Sequence, residues 1–200
     1  TAIERSRFSP ERTIHIAKQI ARALSSAHEH GIIHRDMKPD NIQLVKRDED
    51  EDFVKILDFG IAKIIGSKNR LTQDGRIFGT PHYMSPEQCA GTKIDHRTDI
   101  YAVGVILYEM FAGKPPFDAD NLVGVMTKQL YEKPVPLHDF PELVNVSTEL
   151  KSLIMKCLEK EPHNRYQSMD ELLVNLENIE ISLKPRVVMS SMHSDISTVA

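Results

Sequence analysis

Cysteine is scarce in this sequence. There are two, Cys89 and Cys157, in 200 residues. They lie far apart and form no Cys-x-x-Cys pair, which excludes a disulfide framework and leaves no zinc-finger spacing. Such usage fits a reducing, cytoplasmic compartment. An excess of basic residues is also lacking. Lys+Arg is 25 against Asp+Glu 29, a formal charge of −4. That balance argues against a chain that wraps a nucleic-acid backbone. No membrane-length apolar run occurs. The longest uncharged one, residues 100–108, is closed by Glu109 and is about half of what a bilayer core needs. The first residues lack the basic-then-apolar order of a signal peptide. The sequence opens on Thr1 rather than Met and reads as a fragment. Hydrolase signatures are missing too, with no Gly-x-Ser-x-Gly and no paired-histidine zinc motif. What is present is an ordinary globular balance, 40% hydrophobic and 27% charged, long enough for a substantial core.

The pattern predicts a mostly helical chain with one short hairpin. A helix is expected over residues 10–30, capped by Ser9, opened by Pro10 and ended by Gly31. Ile14, Ala17, Ile20, Ala21, Leu24 and Ala27 form its apolar stripe. His28 and His30 read as surface groups of its last turn. A charged loop, 32–41, leads to strands at about 42–45 and 53–57. The connector between them carries five consecutive acids, residues 48–52. It reads as a solvated hairpin tip; a metal site is the alternative, but nothing fixes those carboxylates in place.

Residues 58–88 show no periodicity and are punctuated by Gly and Pro, as functional loops are. Helices return at 98–112, apolar nearly all round and ended by Gly113, and at 121–130, with Asp120 as its expected cap. Two more follow: 148–158, with Cys157 in the core, and one opened by a Ser168-x-x-Glu171 capping box that buries Leu172, Leu173, Leu176 and Ile179. Residues 1–181 read as one domain and 182–200 as a linker or disordered tail. No internal repeat occurs. His15, His96, His138, His163 and His193 show no metal-ligand spacing and read as structural.

Chemistry-bearing residues cluster at the two ends of the hairpin. His34-Arg35-Asp36-Met37-Lys38-Pro39-Asp40-Asn41 precedes it and Asp58-Phe59-Gly60 follows it. The hairpin brings these loops side by side, with two carboxylates, an amide and an ammonium around one point. A carboxylate with an amide oxygen suits a hard cation such as magnesium, and a lysine beside it suits a phosphate.

These residues resemble the catalytic and metal-binding loops of the protein kinase family. Further matches follow in order. Gly79-Thr80-Pro81-His82-Tyr83-Met84-Ser85-Pro86-Glu87 resembles the end of the activation segment, with Ser85 where the family has Ala. Asp99-x-Tyr101-x-x-Gly104 resembles the start of the central helix of the large lobe. Lys114-Pro115-Pro116-Phe117 and Pro162-x-x-Arg165 resemble the turn after it and a late structural arginine. The likeness runs from about Phe8 to Ile181. Lys38 matches the serine/threonine-specific form, and the wording from Gly79 to Gln88 is most like the bacterial enzymes.

The resemblance implies an α+β, mostly α fold, the C-terminal lobe of a protein kinase with a short β-hairpin. It also implies ATP and Mg2+ as cofactors and a protein bearing Ser or Thr as substrate. Asp36 would orient the substrate hydroxyl, and Lys38 would neutralise the transferring phosphoryl group. Asn41 and Asp58 would hold magnesium. Gln43 would lie under the adenine ring, where the family usually has Leu or Met. Arg35 would clamp a phosphorylated residue, Thr72 first and Ser67 second. Thr80 would bond Asp36 and Lys38. Glu87 and Arg165 would form a buried pair, and His34, Phe59 and Asp99 would stack and bond as a regulatory spine.

The sequence has no Gly-x-Gly-x-x-Gly loop and no strand lysine before Ser9, so it resembles the large lobe without the N-terminal lobe. The chain alone is therefore expected to have little or no kinase activity. The alternative is a non-catalytic interaction module built on an isolated kinase lobe. No nucleic-acid partner and no membrane span within these residues are expected. By the same resemblance, a segment beyond Ala200 would tether the parent protein to a membrane.

Overall fold

The computed structural model describes residues 8–59 and 81–183. Thr72, Ser67, Thr80, Gly60, Gly79, His193 and the tail from 184 onward lie outside the described residues. Helix α1 spans Pro10–Glu29. Ser9 accepts the Arg12 backbone N–H at 3.2 Å and Pro10 occupies the first turn, as its sequence signals predict. The hairpin follows as β1, Ile42–Arg47, and β2, Asp50–Ile56, paired antiparallel with Gln43 opposite Lys55. Next come a short α2, Pro86–Ala90, and the long α3, Arg97–Ala112. Helices α4, Leu122–Tyr131, α5, Thr148–Cys157, and α6, Met169–Leu183, complete the fold.

Helix α3 is the spine of the core. Its residues from Ile100 to Tyr108 are all buried, so it has no polar face to turn to water. Gly113 ends it at φ 73°, a left-handed geometry that glycine adopts without steric cost. Gly104 lets α5 approach: a Cβ built there would sit 2.5 Å from the Cys157 Cβ. Cys157 is accordingly fully buried, and burial pushes its thiol up to about 12, which makes it an inert core group. Helix α1 packs along α6, edged by Lys18–Glu180 and Arg22–Glu177 pairs at 2.8 Å. Among the described residues no helix is long and apolar enough to cross a membrane.

Several expectations are corrected. The acidic connector is not simply solvated. Asp52 accepts a two-pronged contact from the Arg12 guanidinium at 2.8 and 2.7 Å, and His15 Nε2 lies 3.0 Å from Asp50. Gln19 completes the strap by accepting the Val54 N–H and donating to the Asp52 carbonyl. Arg12, His15 and Gln19 share one face of α1, so the hairpin is tied to that helix. Asp50 is held below the usual carboxylate range by the Asp52 N–H and by His15.

The stretch to residue 88 is not wholly irregular, because α2 begins at Pro86 under a complete Ser85/Gln88 capping box. Helix α4 is capped by Asn121, whose side chain accepts the Gly124 N–H at 2.8 Å, and not by Asp120. Only half of the Ser168/Glu171 box forms. Ser168 accepts the Glu171 N–H, but the Glu171 carboxylate takes the N–H of Gln167 instead.

Candidate active site

The loop before the hairpin is shaped by one buried acid. Asp99, in the first turn of α3, has 0% exposure. Its carboxylate accepts the backbone N–H of His34 at 2.9 Å and of Arg35 at 2.8 Å. Arg35 sits at φ 66°, a left-handed conformation costly for a side-chain-bearing residue. These two bonds, with a third from Gln88 Nε2 to the Arg35 carbonyl at 2.7 Å, hold it there. The third donor to Asp99 is His28 Nε2, at 2.8 Å. The His28 side chain is only 10% exposed, which corrects its reading as a surface group. Its partner lies on another helix, where nothing in the local sequence points to it.

His34 is fully buried and joins the two loops. Its Nδ1 accepts the Asp36 N–H at 3.3 Å, which leaves Nε2 to carry the proton and donate to the Leu57 carbonyl at 3.0 Å. Its ring lies 4.9 Å from that of Phe59. Asn41 donates its amide nitrogen to the Asp36 carbonyl at 2.7 Å. The Asn41 carbonyl in turn accepts the N–H of Leu57 at 2.9 Å. The residue preceding Asp58 is thus bonded to both His34 and Asn41.

These contacts set the loop of Asp36, Lys38 and Asn41 against Leu57, the residue that leads into Asp58. The Lys38 ammonium lies 3.7 Å from the Asp36 carboxylate, both partly exposed. Asp58 is exposed, at φ 50°. Gln43 lies on β1 with its side chain exposed, so a polar group there carries no burial penalty. The Arg35 Nε is buried without a partner among the described residues.

The donor set fits magnesium. Asn41 has spent its nitrogen on Asp36, which leaves the amide oxygen for a cation, and Asp58 supplies a carboxylate. Among the described residues no group of three or more His, Cys, Asp or Glu side chains gathers for a metal. A magnesium site completed by substrate phosphates and water needs only one or two carboxylates.

Glu87 and Arg165 meet through two bonds of 2.8 Å. The Arg165 side chain has 0% exposure. Its remaining donors reach the carbonyls of Glu159, Lys160 and Arg97, so all of its N–H directions are engaged. Thr98 donates to Glu87 at 2.6 Å and shares a contact of 3.0 Å with Ser85. Ser85 therefore has a physical role where the resembling motif has Ala: it caps α2 and joins this polar core. Burial raises the Glu87 pKa, but Arg165 and Thr98 outweigh it and hold the carboxyl below its ordinary value.

Sequence reasoning missed Gln88, although Ser85-x-x-Gln88 is a capping-box spacing. It also missed the bond from the Tyr83 hydroxyl to Glu109 at 2.6 Å, which ties the segment before α2 to α3.

Comparison with known proteins identifies the family. A family model described as a protein kinase domain matches residues 1–175. Among curated relatives, the serine/threonine-protein kinase pkn3 of Myxococcus xanthus is 45% identical over 172 residues, covering 84% of this chain and 31% of its own. PknB of Mycolicibacterium smegmatis is 39% identical over 179 residues, 89% of this chain and 28% of its own. PknB of Mycobacterium tuberculosis is 37% identical over 193 residues, 94% of this chain and 30% of its own. The chain thus spans less than a third of the length of these relatives. By the family match, the relatives and the mostly helical fold, the chain belongs to the protein kinase family, among the serine/threonine kinases of the bacterial kind.

Proposed function

We propose that these residues supply the catalytic and metal loops of an enzyme that transfers the γ-phosphate of ATP to Ser or Thr hydroxyls of proteins. One observation carries this reading. Leu57 is bonded to Asn41 and to His34, and so the Asp58 loop lies against the loop of Asp36 and Lys38. Magnesium, held by Asn41 and Asp58 when bound, would offset the negative charge of the nucleotide phosphates.

Asp36 orients the acceptor hydroxyl and takes up its proton as the hydroxyl oxygen attacks. Lys38, near Asp36, offsets charge on the transferring group. Asn41 and Asp58 offer oxygen ligands to the cation. Gln43 on β1 borders the adenine. Most of this chemistry is positioning and electrostatics, which rigid loops supply. The Arg35 Nε, buried without a partner among the described residues, supports a role for that side chain toward a phosphorylated residue, with Thr72 as first candidate. Thr80 serves the acceptor pocket. The lobe takes in residues 1–181, and because α6 runs on to Leu183 the linker read at 182–200 starts after it. Without a glycine-rich phosphate loop among its 200 residues, the chain alone transfers phosphate poorly if at all.

Two variants in the native protein that carries this chain test the reading. Asp58→Asn removes a carboxylate ligand, so the Mg2+ concentration for half-maximal phosphotransfer rises roughly tenfold or more while the melting temperature is kept. An unchanged Mg2+ dependence contradicts the assignment. Asp99→Ala leaves three buried donors unpaired and loosens the loop that aims Asp36. Steady-state kinetics should show kcat lower by about 100-fold, with KM for ATP changed less. A normal kcat contradicts the positioning argument.

A further inference from the structure

Gln129 on α4 is a fully buried polar residue that the proposed chemistry does not use. Helix α4 buries little else, only Val125 beside it. A glutamine placed there without partners would be destabilising, and every group of its amide is engaged. Its nitrogen donates to the carbonyls of Pro81 at 3.2 Å and His82 at 2.6 Å. Its oxygen accepts the hydroxyl of Tyr101 from α3. The Gln129 backbone carbonyl accepts Lys160 Nζ at 2.7 Å, and the same ammonium reaches the Lys128 carbonyl at 3.3 Å. A cation at the last turn of a helix steadies that turn. Lys160 also lies 4.0 Å from the centroid of the Phe117 ring.

Pro81 and His82 follow Thr80 directly and precede Tyr83, which is fixed to Glu109. They are otherwise a short irregular stretch, with a single turn of 3-10 helix over Pro81–Tyr83. Their backbone carbonyls converge on one side chain that α3, α4 and Lys160 all support.

We propose that Gln129 is a positioning residue for the acceptor protein: it fixes the Pro81–His82 backbone, the two residues next in sequence to Thr80, and so sets affinity for the protein substrate. This rests on the proposed phosphotransfer function. Gln129 touches neither Asp36 nor the candidate metal ligands. Its effect therefore falls on the protein substrate and spares the nucleotide.

The test uses the native protein that carries this chain, with a Ser/Thr peptide it phosphorylates. Gln129→Leu keeps the bulk and removes both donors. Gln129→Glu keeps the acceptor for Tyr101 and sets a carboxylate against the two carbonyls. In whichever variant folds, KM for the peptide rises about tenfold, with KM for ATP and kcat within twofold of the parent. Gln129→His, which keeps one ring N–H, recovers part of the loss. Amide hydrogen exchange at His82, Tyr83 and Met84 speeds up in the Leu and Glu variants. An unchanged peptide KM, or equal damage to peptide and ATP kinetics, overturns the proposal, as does unaltered exchange at those amides. If the parent protein transfers no phosphate to any Ser or Thr, the proposed function fails. The exchange measurement still decides whether Gln129 anchors the segment.

Discussion

Glu87→Ala should destabilise the chain by about 3–5 kcal/mol, the cost of stranding a buried charge. The Arg165 guanidinium has 0% exposure and both of its charge-balancing bonds go to Glu87. Removing the carboxylate leaves a cation among Tyr101, Cys157 and backbone carbonyls with no water to solvate it. The melting temperature should fall by roughly 10 °C for a domain of this size. Replacing both partners with apolar residues of similar volume should cost far less than either single change, because the stranded charge is gone. A double variant as unstable as Glu87→Ala would show that the loss comes from packing alone.

The same pair sets part of the acid limit. Glu87 titrates below its ordinary value when folded, so its contribution is present above the unfolded carboxylate range. It is lost as pH falls through the lower folded value. Glu87→Gln should therefore flatten the acid side of the stability curve. A parallel shift at every pH would contradict the linkage.

Much of the fold was legible because its signals are local. Ser9 and Pro10, the apolar stripe of α1, and Gly113 each act within a turn of helix. The order of the motifs predicts that the loops flanking the hairpin meet, and the bonds of Leu57 to Asn41 and His34 are what hold the two loops against each other. What the sequence hid is burial set by distant partners. His28 looks like an exposed helix end until Asp99 meets it. Gln129 looks like one more polar residue on a short amphipathic helix until the carbonyls of Pro81 and His82 converge on it. The acidic connector looked solvated because a run of like charge usually is. The counter-signal, Arg12, His15 and Gln19 on one helical face, lies more than thirty residues upstream.

The largest expected effect on activity is at Asp36. Its backbone is fixed twice, by N–H donation to His34 and by acceptance from Asn41, while its carboxylate stays partly exposed beside Lys38. The side chain is thus partly open to solvent, where a substrate hydroxyl could reach it. Asn is close in size and keeps the loop, but its amide is no proton acceptor. Asp36→Asn should lower kcat by about 1,000-fold, within the range of positioned proton transfer, and leave the melting temperature within about 1 °C.

The most direct measurement is transfer of labelled γ-phosphate from Mg-ATP to a protein substrate. The native protein and its Asp36→Asn variant are run side by side, with the labelled residues identified. The account predicts phosphoserine or phosphothreonine from the native protein and almost none from the variant. Undiminished transfer by Asp36→Asn, with the variant shown to be folded, would contradict it.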